Sequence, residues 1–167
     1  RKNYSARKDL GGGILNDAHE LDYITWLLGN IKRATCYFGK VGSLEVADNT
    51  LVSPVLDFAT GAIVNVHVDY LQRSYNRSYE IYGEEGSLFW NYNDNILKYY
   101  SSEMDSWNFF YNRNFDLNET YLDELKDLIK GISDGSRFLG SSFQEGVRLV
   151  KIVSDFKSEG IYERNSL

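Results

Sequence analysis

The sequence has few of the residues that build disulfide and metal sites. Among its 167 residues are one cysteine and two histidines. A lone cysteine, Cys36, forms no internal disulfide and excludes a zinc site built on cysteines. The run His19-Glu20-Leu21-Asp22 begins like a metalloprotease helix, but Tyr23 stands where that motif needs its second histidine. We therefore expect no metal site.

Long apolar runs and an excess of positive charge are also missing. No stretch of about 18 apolar residues is present, so no membrane-spanning helix is expected. The net charge is −6 and the isoelectric point is near 4.9, a balance that disfavours nucleic acid as a partner. With 43% hydrophobic and 25% charged residues, the chain is not of the disordered type. These values predict a single cytoplasmic domain over residues 1–167.

The chain is, by contrast, well supplied with aromatic side chains. It holds 13 Tyr, 9 Phe and 3 Trp residues. Large flat rings suit either a buried sheet interface or stacking against the faces of sugars. Composition alone leaves both alternatives open.

Hydrophobic periodicity divides the chain into a helix, a run of strands and two further helices. The first helix is predicted from a cap at Asn16 or Asp17 to Leu28, and it stops at Gly29. Strands are predicted at 34–38, 50–58, 62–72, 77–82, 87–92, 96–100 and 107–111. Pro54 indicates a sheet edge or a bulge in the second strand. Short turns between successive strands require antiparallel pairing, so the predicted fold class is α+β with a mainly antiparallel sheet.

Two amphipathic helices close the sequence. Asn118 is the predicted cap of the first, and its apolar stripe comprises Tyr121, Leu122, Leu125, Leu128, Ile129 and Ile132. Ser141 or Ser142 is the predicted cap of the second, which is predicted to end at Gly160. Its inward-facing residues are predicted to be Phe143, Val147, Val150, Val153 and Phe156. Gly146 lies inside this helix, where glycine costs about 1 kcal/mol relative to alanine, and therefore indicates a close helix–sheet contact.

Imidazole chemistry has two candidates in this sequence. His19 follows the glycine-rich stretch 11–13, and Asp17 and Asp22 lie nearby to set its tautomer and basicity. His67 lies on the polar face of a predicted strand between Asn65 and Asp69, and we interpret it as a sheet-face residue without a chemical role. No G-x-S-x-G elbow and no G-x-G-x-x-G fingerprint is present, so the residues themselves predict neither a serine hydrolase nor a dinucleotide-binding turn.

Several of these segments together resemble one enzyme family. The stretch from Tyr4 to Gly13, followed by His19-Glu20-Leu21-Asp22-Tyr23 and Trp26-Leu27-Leu28-Gly29, is similar to the start of the second domain of the Gfo/Idh/MocA oxidoreductases. Supporting matches follow at 66–73, at the turn 82–86 and in the helix at 146–156. The resemblance covers essentially the whole chain.

The resemblance implies an architecture and a set of partners. It implies an open, mainly antiparallel sheet with helices packed on one face, as in the C-terminal domain of glucose–fructose oxidoreductase. The sheet commonly serves as an oligomer interface, so a homo-oligomer is expected. The family also implies an N-terminal Rossmann domain, absent from this sequence, that binds most of an NAD or NADP cofactor.

The same resemblance assigns roles to individual residues. It makes His19 the general acid or base, with Asp17 as a second catalytic residue. Gly12 and Gly13 would close over the nicotinamide end of the cofactor. Substrate binding is carried over to Tyr4, Arg7, Asp22, Tyr70, Gln72 and Arg73. One departure is that the family often has its aspartate three or four residues before the histidine, whereas Asp17 lies two residues before His19.

Two functions of different classes follow. The first is the catalytic half of an NAD(P)-dependent dehydrogenase that acts on a sugar, nucleotide sugar or cyclitol, and for which the isolated chain is expected to be inactive. The alternative is a non-catalytic module of the same fold that binds carbohydrate or serves assembly. The irregular spacing before His19 and the aromatic content are compatible with this alternative.

Overall fold

The computed structural model describes residues 6–7, 9, 13–15, 18–46, 49–111, 116–136, 139–159 and 161–163. These residues form two compact units. The first draws on 1–71 and 141–167, and the second on 72–140. No helix in the described part of the chain combines the length and apolar character needed to cross a bilayer.

The elements follow one another in the order helix, eight strands, two helices and a last short strand. They are α1 (His19–Leu28), β1 (Ile31–Gly39), β2 (Leu51–Phe58), β3 (Ile63–Asn65), β4 (Val68–Asp69), β5 (Ser78–Gly83), β6 (Gly86–Asn91), β7 (Ile96–Ser101), β8 (Ser106–Tyr111), α2 (Leu117–Asp134), α3 (Phe143–Glu159) and β9 (Ile161–Glu163). This order confirms the predicted helix, run of strands and two further helices, whereas β9 was not predicted and β3 and β4 replace a single predicted strand.

The first unit contains a five-stranded sheet. Its strands run in the order β3-β2-β1-β9, and β4 pairs with β2 beyond the end of β3. All of these pairings are antiparallel. Strands β1 and β2 are therefore each paired on two sides and together form the centre of the sheet.

Pro54 explains an interruption in this sheet. The sequence predicted one strand over 62–72, whereas the structure has two short strands, β3 and β4, separated at Val66 and His67. The Val66 amide donates to the Pro54 carbonyl at 2.9 Å, but proline has no N–H to return the bond. Instead the Ser53 hydroxyl donates to the Val66 carbonyl at 3.1 Å. The irregularity predicted at Pro54 therefore lies opposite it, where β3 and β4 are separated from each other.

Helices α1 and α3 cover one face of this sheet. Their contribution to the core is Leu21 from α1 and Ile152 and Phe156 from α3, all fully buried. The sheet side of the same cluster comprises Ile31, Ala34, Cys36, Val52, Leu56, Phe58 and Val66. Burial of these side chains removes apolar surface from water and fixes the two helices on the sheet. The arrangement confirms the expectation of helices packed on one face.

Helix α1 begins later than predicted. Its first residue is His19, and Ala18 occupies the cap position without a side-chain hydrogen bond. The predicted caps, Asn16 and Asp17, lie outside the described residues. The helix ends as predicted before Gly29, whose φ of +85° is the positive backbone angle that glycine adopts readily.

Helix α3 buries a different stripe from the predicted one. Phe143, Val147 and Val150 are exposed, which corrects their assignment to the inward face. The packed residues are Leu149, Ile152, Val153 and Phe156, which are spaced by three and four along the helix. Ser142 is the cap, as predicted, and Gly160 lies outside the described residues.

The second unit consists of a four-stranded meander and a helix. Strands β5-β6-β7-β8 pair in sequence order, each antiparallel to the next. A side chain at Gly86 would come within 2.1 Å of the Tyr100 carbonyl, so the turn between β5 and β6 requires glycine there. Helix α2 is capped by Asp116, whose carboxylate accepts from the Asn118 amide at 2.9 Å, and not by Asn118 itself. None of the residues of α2 is buried.

The strands of the two units are antiparallel throughout and are divided between two sheets, which confirms the α+β class. The short turns between β5, β6, β7 and β8 account for their pairing, because local connections favour neighbouring antiparallel strands. The first unit bears on function, because it contains His19 at the start of α1 and also contains helix α3.

Candidate functional site

His19 is the first residue of α1 and its side chain is exposed. Because the residue stands at the helix start, its imidazole is not enclosed by a preceding helical turn. Acidic residues, Glu20 and Asp22, occupy the same first turn. A carboxylate near a helix N-terminus is favoured by the partial positive charge of the unpaired amides.

Asp22 connects the first helix to the region before α3. Its Oδ1 accepts a hydrogen bond from the Ser141 hydroxyl at 3.3 Å. The two residues are 119 positions apart in sequence, so the fold alone brings them together. Asp22 lies three residues after His19, and residues at that spacing lie on the same side of a helix.

An open cleft of about 750 Å³ lies between these two parts of the first unit. On one side it is lined by Leu15, Ala18, His19 and Asp22. On the other side it is lined by Ser141 and by Gly146, Leu149, Val150, Val153, Ser154 and Lys157 of α3. We call this the α1–α3 cleft. Its volume lies within the range typical of small-molecule sites.

The polar groups of the α1–α3 cleft suit a hydroxylated ligand. A carboxylate, an imidazole and two hydroxyls, from Asp22, His19, Ser141 and Ser154, line it together with the Lys157 ammonium. Carboxylates accept hydrogen bonds from hydroxyl groups, and serine hydroxyls both donate and accept. The rest of the lining is aliphatic, which suits the C–H face of a ring.

Gly146 lies on the wall of this cleft. The expectation of a close helix–sheet contact at Gly146 is wrong, because a Cβ built there meets nothing within 4 Å. A side chain at this position would therefore meet open space beside the first turn of α3.

Arg7 is exposed and forms an ion pair with Asp9. Its Nε donates to Asp9 Oδ1 at 3.1 Å, and a second bond joins its Nη2 to Asp9 Oδ2. The guanidinium lowers the pKa of Asp9, and the carboxylate in turn raises the pKa of Arg7. The charge of Arg7 is thus already partnered within its own loop.

Tyr70, Gln72 and Arg73 lie where the first unit gives way to the second. Tyr70 packs against the core of the first unit, and its amide donates to the Thr50 carbonyl at 3.0 Å. Gln72 and Arg73 are exposed at the start of the second unit. Tyr70 is not among the residues that line the α1–α3 cleft.

The glycine loop before α1 is described only in part. Gly13 is buried and has a φ of +149°, a backbone angle that residues with a side chain rarely adopt. Tyr4, Gly12 and Asp17, which the sequence also assigned to the site, lie outside the described residues.

His67 pairs with the carboxylate of Asp69 on the sheet. Its Nε2 lies 2.9 Å from Asp69 Oδ2, and Asp69 Oδ1 accepts from the Leu71 amide at 2.6 Å. This pair holds the chain as it leaves β4. Within the described residues, no group of three or more His, Cys, Asp or Glu side chains is arranged to hold a metal ion.

Sequence reasoning did not place Ser141, Gly146, Ser154 and Lys157 beside His19, although all four line the α1–α3 cleft. The spacing of Gly146, Val150, Val153 and Lys157 on one side of α3 was a usable signal. It was obscured because the apolar residues of α3 also permit a stripe centred on Phe143 and Val147.

Comparison with known proteins gives a family for this chain. Residues 1–89 match the model of the GFO/IDH/MocA C-terminal domain. A comparison with proteins of curated function found no match.

Solved structures match the whole chain. Levoglucosan dehydrogenase in complex with NADH aligns with a TM-score of 0.82 at 20% identity, over 99% of this chain and 54% of that one. An NAD binding oxidoreductase from Klebsiella pneumoniae aligns with a TM-score of 0.81 at 20% identity, over 99% and 54%. An oxidoreductase domain protein from Kribbella flavida aligns with a TM-score of 0.80 at 17% identity, over 98% and 53%. The chain therefore spans about half the length of these neighbours, and the likeness shows a shared fold.

Proposed function

The chain belongs to the GFO/IDH/MocA family, and we propose that it is the catalytic, substrate-binding half of an NAD(P)-dependent dehydrogenase. The proposed substrate is a sugar, nucleotide sugar or cyclitol alcohol. The observation that carries the proposal is the position of His19, exposed at the start of α1 and lining a cleft together with Asp22.

The proposed role of His19 is acid–base catalysis. A ring nitrogen of His19 accepts the proton of the substrate hydroxyl during oxidation and returns it during reduction. Imidazole suits this exchange, because its ordinary pKa of about 6.5 lies close to neutral pH. Asp17, two residues earlier in sequence, is the proposed partner of this histidine.

Neighbouring polar groups would orient the substrate. The Asp22 carboxylate and the Ser141 hydroxyl, already hydrogen-bonded to each other, offer acceptors and a donor to hydroxyl groups in the cleft. Further substrate contacts are proposed for Tyr4, Arg7, Tyr70, Gln72 and Arg73. Such orientation brings reacting atoms to near-attack distance, which accounts for much of the rate of hydride transfer.

The cofactor would be held mainly outside this chain. The sequence has no G-x-G-x-x-G turn between a strand and a helix, so most of the dinucleotide would lie on a Rossmann domain of the full-length protein. The backbone of Gly13, with its φ of +149°, fits a loop that approaches a flat group closely, and Gly12 and Gly13 are its proposed contacts. When bound, the nicotinamide would supply the hydride acceptor or donor. The NADH complex of a structural neighbour supports this cofactor class.

Hydride transfer is tested on the full-length protein. NAD and NADP would each be supplied with neutral aldoses, cyclitols, nucleotide sugars and sugar acids, and formation of reduced nicotinamide followed by absorbance. We expect the cofactor to be reduced with one of these four classes of substrate. Tight cofactor binding without hydride exchange for any class of substrate would favour the alternative, a carbohydrate-binding or assembly module. The exposed aromatic rings of the second unit support that alternative.

A further inference from the structure

The start of α3 runs alongside α1 in the first unit, and two hydrogen bonds hold the helices together. Ser141, just before α3, donates to Asp22 Oδ1 at 3.3 Å. One turn into α3, the Arg148 guanidinium donates to the side-chain oxygen of Asn30, which follows the end of α1. The two segments between these bonds therefore lie side by side and run in the same direction.

Large apolar side chains are exposed along this pair of helices. Trp26 of α1 is 72% exposed, and Phe143 and Val147 of α3 are 81% and 52% exposed. Val150, 69% exposed, continues the stripe of α3, because residues three and four apart share one side of a helix. We call these four residues the outer apolar surface. Exposed apolar clusters of this kind are typical of interaction sites.

The outer apolar surface borders the α1–α3 cleft. Val150 belongs to both, since it also lines the cleft together with His19. Trp26 lies one helical turn after Asp22, another lining residue of the cleft. A protein domain that covers the outer apolar surface would therefore also lie beside the opening of the cleft.

The proposed reaction requires a second domain at this place. Hydride transfer needs the nicotinamide within about 3–3.5 Å of the reacting carbon of a substrate in the cleft. The sequence has no dinucleotide fingerprint, and it spans 54% of the levoglucosan dehydrogenase chain that it resembles in fold. The cofactor would then be carried by the other half of the full-length protein, and that half has to pack against the cleft.

We propose that the outer apolar surface is the docking site of the cofactor-binding domain, with Phe143 and Val147 at the centre of the contact. This inference rests on the proposed function and names the surface through which the two halves of the enzyme meet. Burial of these side chains would remove apolar area from water and hold the cofactor-binding domain against the cleft.

Hydroxyl-radical footprinting of the full-length protein, without added ligand, tests this docking. The rate of modification of each side chain in the native protein is compared with its rate in the urea-unfolded protein. Phe143 and Trp26 should be modified about fivefold or more slowly in the native protein, because the core of an interface excludes water. Tyr37, 64% exposed in strand β1, is the control and should react at close to its unfolded rate. Modification of Phe143 at its unfolded rate would overturn the inference.

Val147→Asp tests the same contact by mutation. It places a charge in the proposed interface, where burial of a charge is costly, so Phe143 and Trp26 should lose their protection. Phe156 lies in the core beneath the same helix and should stay protected, which shows that the fold is intact. Val147→Ala keeps the position apolar and is the matched control, with protection retained. Protection unchanged by Val147→Asp would contradict the proposed docking.

A second copy of the protein is the alternative occupant of this surface. Protection by a domain of the same full-length chain does not depend on protein concentration. Protection that is lost on dilution, together with the mass of an oligomer in light scattering, would assign the surface to a second copy and overturn the inference.

The inference and the proposed function fail in different ways. Hydride transfer that depends on His19, in a protein whose Phe143 is unprotected, overturns the docking site alone. Concentration-independent protection that Val147→Asp abolishes supports the docking site. If no substrate then reduces the cofactor, the proposed dehydrogenase function fails alone.

Discussion

Thr50 places a hydroxyl in the core of the first unit, where it is 0% exposed. Its Oγ1 accepts from the Val41 amide at 2.7 Å and donates to the Val41 carbonyl at 2.8 Å. The Thr50 hydroxyl therefore pairs with both the amide and the carbonyl of Val41, just after β1 ends. A buried hydroxyl of this kind holds a loop against a sheet because unpaired amide and carbonyl groups are costly away from water.

Thr50→Val tests this assignment. Valine keeps the shape but leaves both groups of Val41 without their partner, so the free energy of unfolding should fall by about 1–3 kcal/mol in urea titration. Thr50→Ser retains the hydroxyl and is the matched control, with a smaller loss. A valine variant as stable as the wild type would contradict the assignment.

Cys36 offers a second test at the residue scale. Burial raises the pKa of its thiol from 9.0 to about 12. The thiolate is the reactive form, so a disulfide reagent at pH 8 should label native protein slowly and denaturant-unfolded protein fast. Cys36 is the only cysteine in this sequence, so labelling of the chain reports on that thiol alone. Rapid labelling of the native protein would contradict the burial of Cys36.

The raised pKa of Cys36 also gives a direction for stability with pH. Below the ordinary value of 9.0 the thiol is protonated in both states and its contribution is fully present. As pH rises from 9 towards 12, the unfolded chain releases the proton while the native chain retains it, so the stability contribution is lost. Cys36→Ala should lack this component of the alkaline decline.

At the scale of elements, the start of α3 is set by a reciprocal capping arrangement. The Glu145 amide donates to the Ser142 hydroxyl at 3.3 Å, and the Ser142 amide donates to Glu145 Oε2 at 2.7 Å. These bonds satisfy two amides that a helix start leaves unpaired. Because α3 carries one wall of the α1–α3 cleft, its start also bears on the site.

Glu145→Ala removes half of this arrangement. We expect a loss of about 1 kcal/mol in the free energy of unfolding, measured by chemical denaturation. Glu145→Gln preserves a side-chain oxygen at the same place and serves as the control. Equal destabilisation by both variants would show that charge near the helix start, and not capping, is responsible.

The elements also show how far sequence reasoning reaches. The helix–strands–helices order, the hairpin strands and the Ser142 cap follow from local patterns, and the structure confirms them. The division of 62–72 into two strands did not follow, because it depends on Pro54 in a neighbouring strand. His19 was singled out because it follows the glycine-rich stretch 11–13, with Asp17 and Asp22 nearby, whereas the position of Lys157 in the same cleft depends on how α3 packs beside α1.

At the scale of the whole molecule, the second unit carries aromatic rings on one face of its sheet. Cross-strand pairing places Tyr82 opposite Ser87, and Tyr100 opposite Trp107, on a common face with Phe89 and Phe109. The Phe89 and Trp107 rings are 5.5 Å apart. Tyr82, Trp107 and Phe109 remain exposed. Exposed aromatic patches are typical of interaction surfaces, which supports the proposed homo-oligomer.

Self-association through this face is a prediction for light scattering. The wild-type full-length protein should have the mass of an oligomer, and Trp107→Lys should shift it towards the monomer, since a charge cannot be buried cheaply in the interface. Tyr37→Lys changes an exposed ring of the other sheet and should leave the mass unchanged. A monomeric wild type would refute the prediction.

The proposed dehydrogenase function depends on proton exchange between His19 and the substrate hydroxyl. Its most direct test is the single-turnover rate of cofactor reduction in the full-length protein, with His19→Ala compared with His67→Ala, which removes the chain's other histidine. We expect a loss of about 100- to 10,000-fold for His19→Ala with cofactor binding intact, and a near wild-type rate for His67→Ala. A wild-type rate in His19→Ala would contradict it.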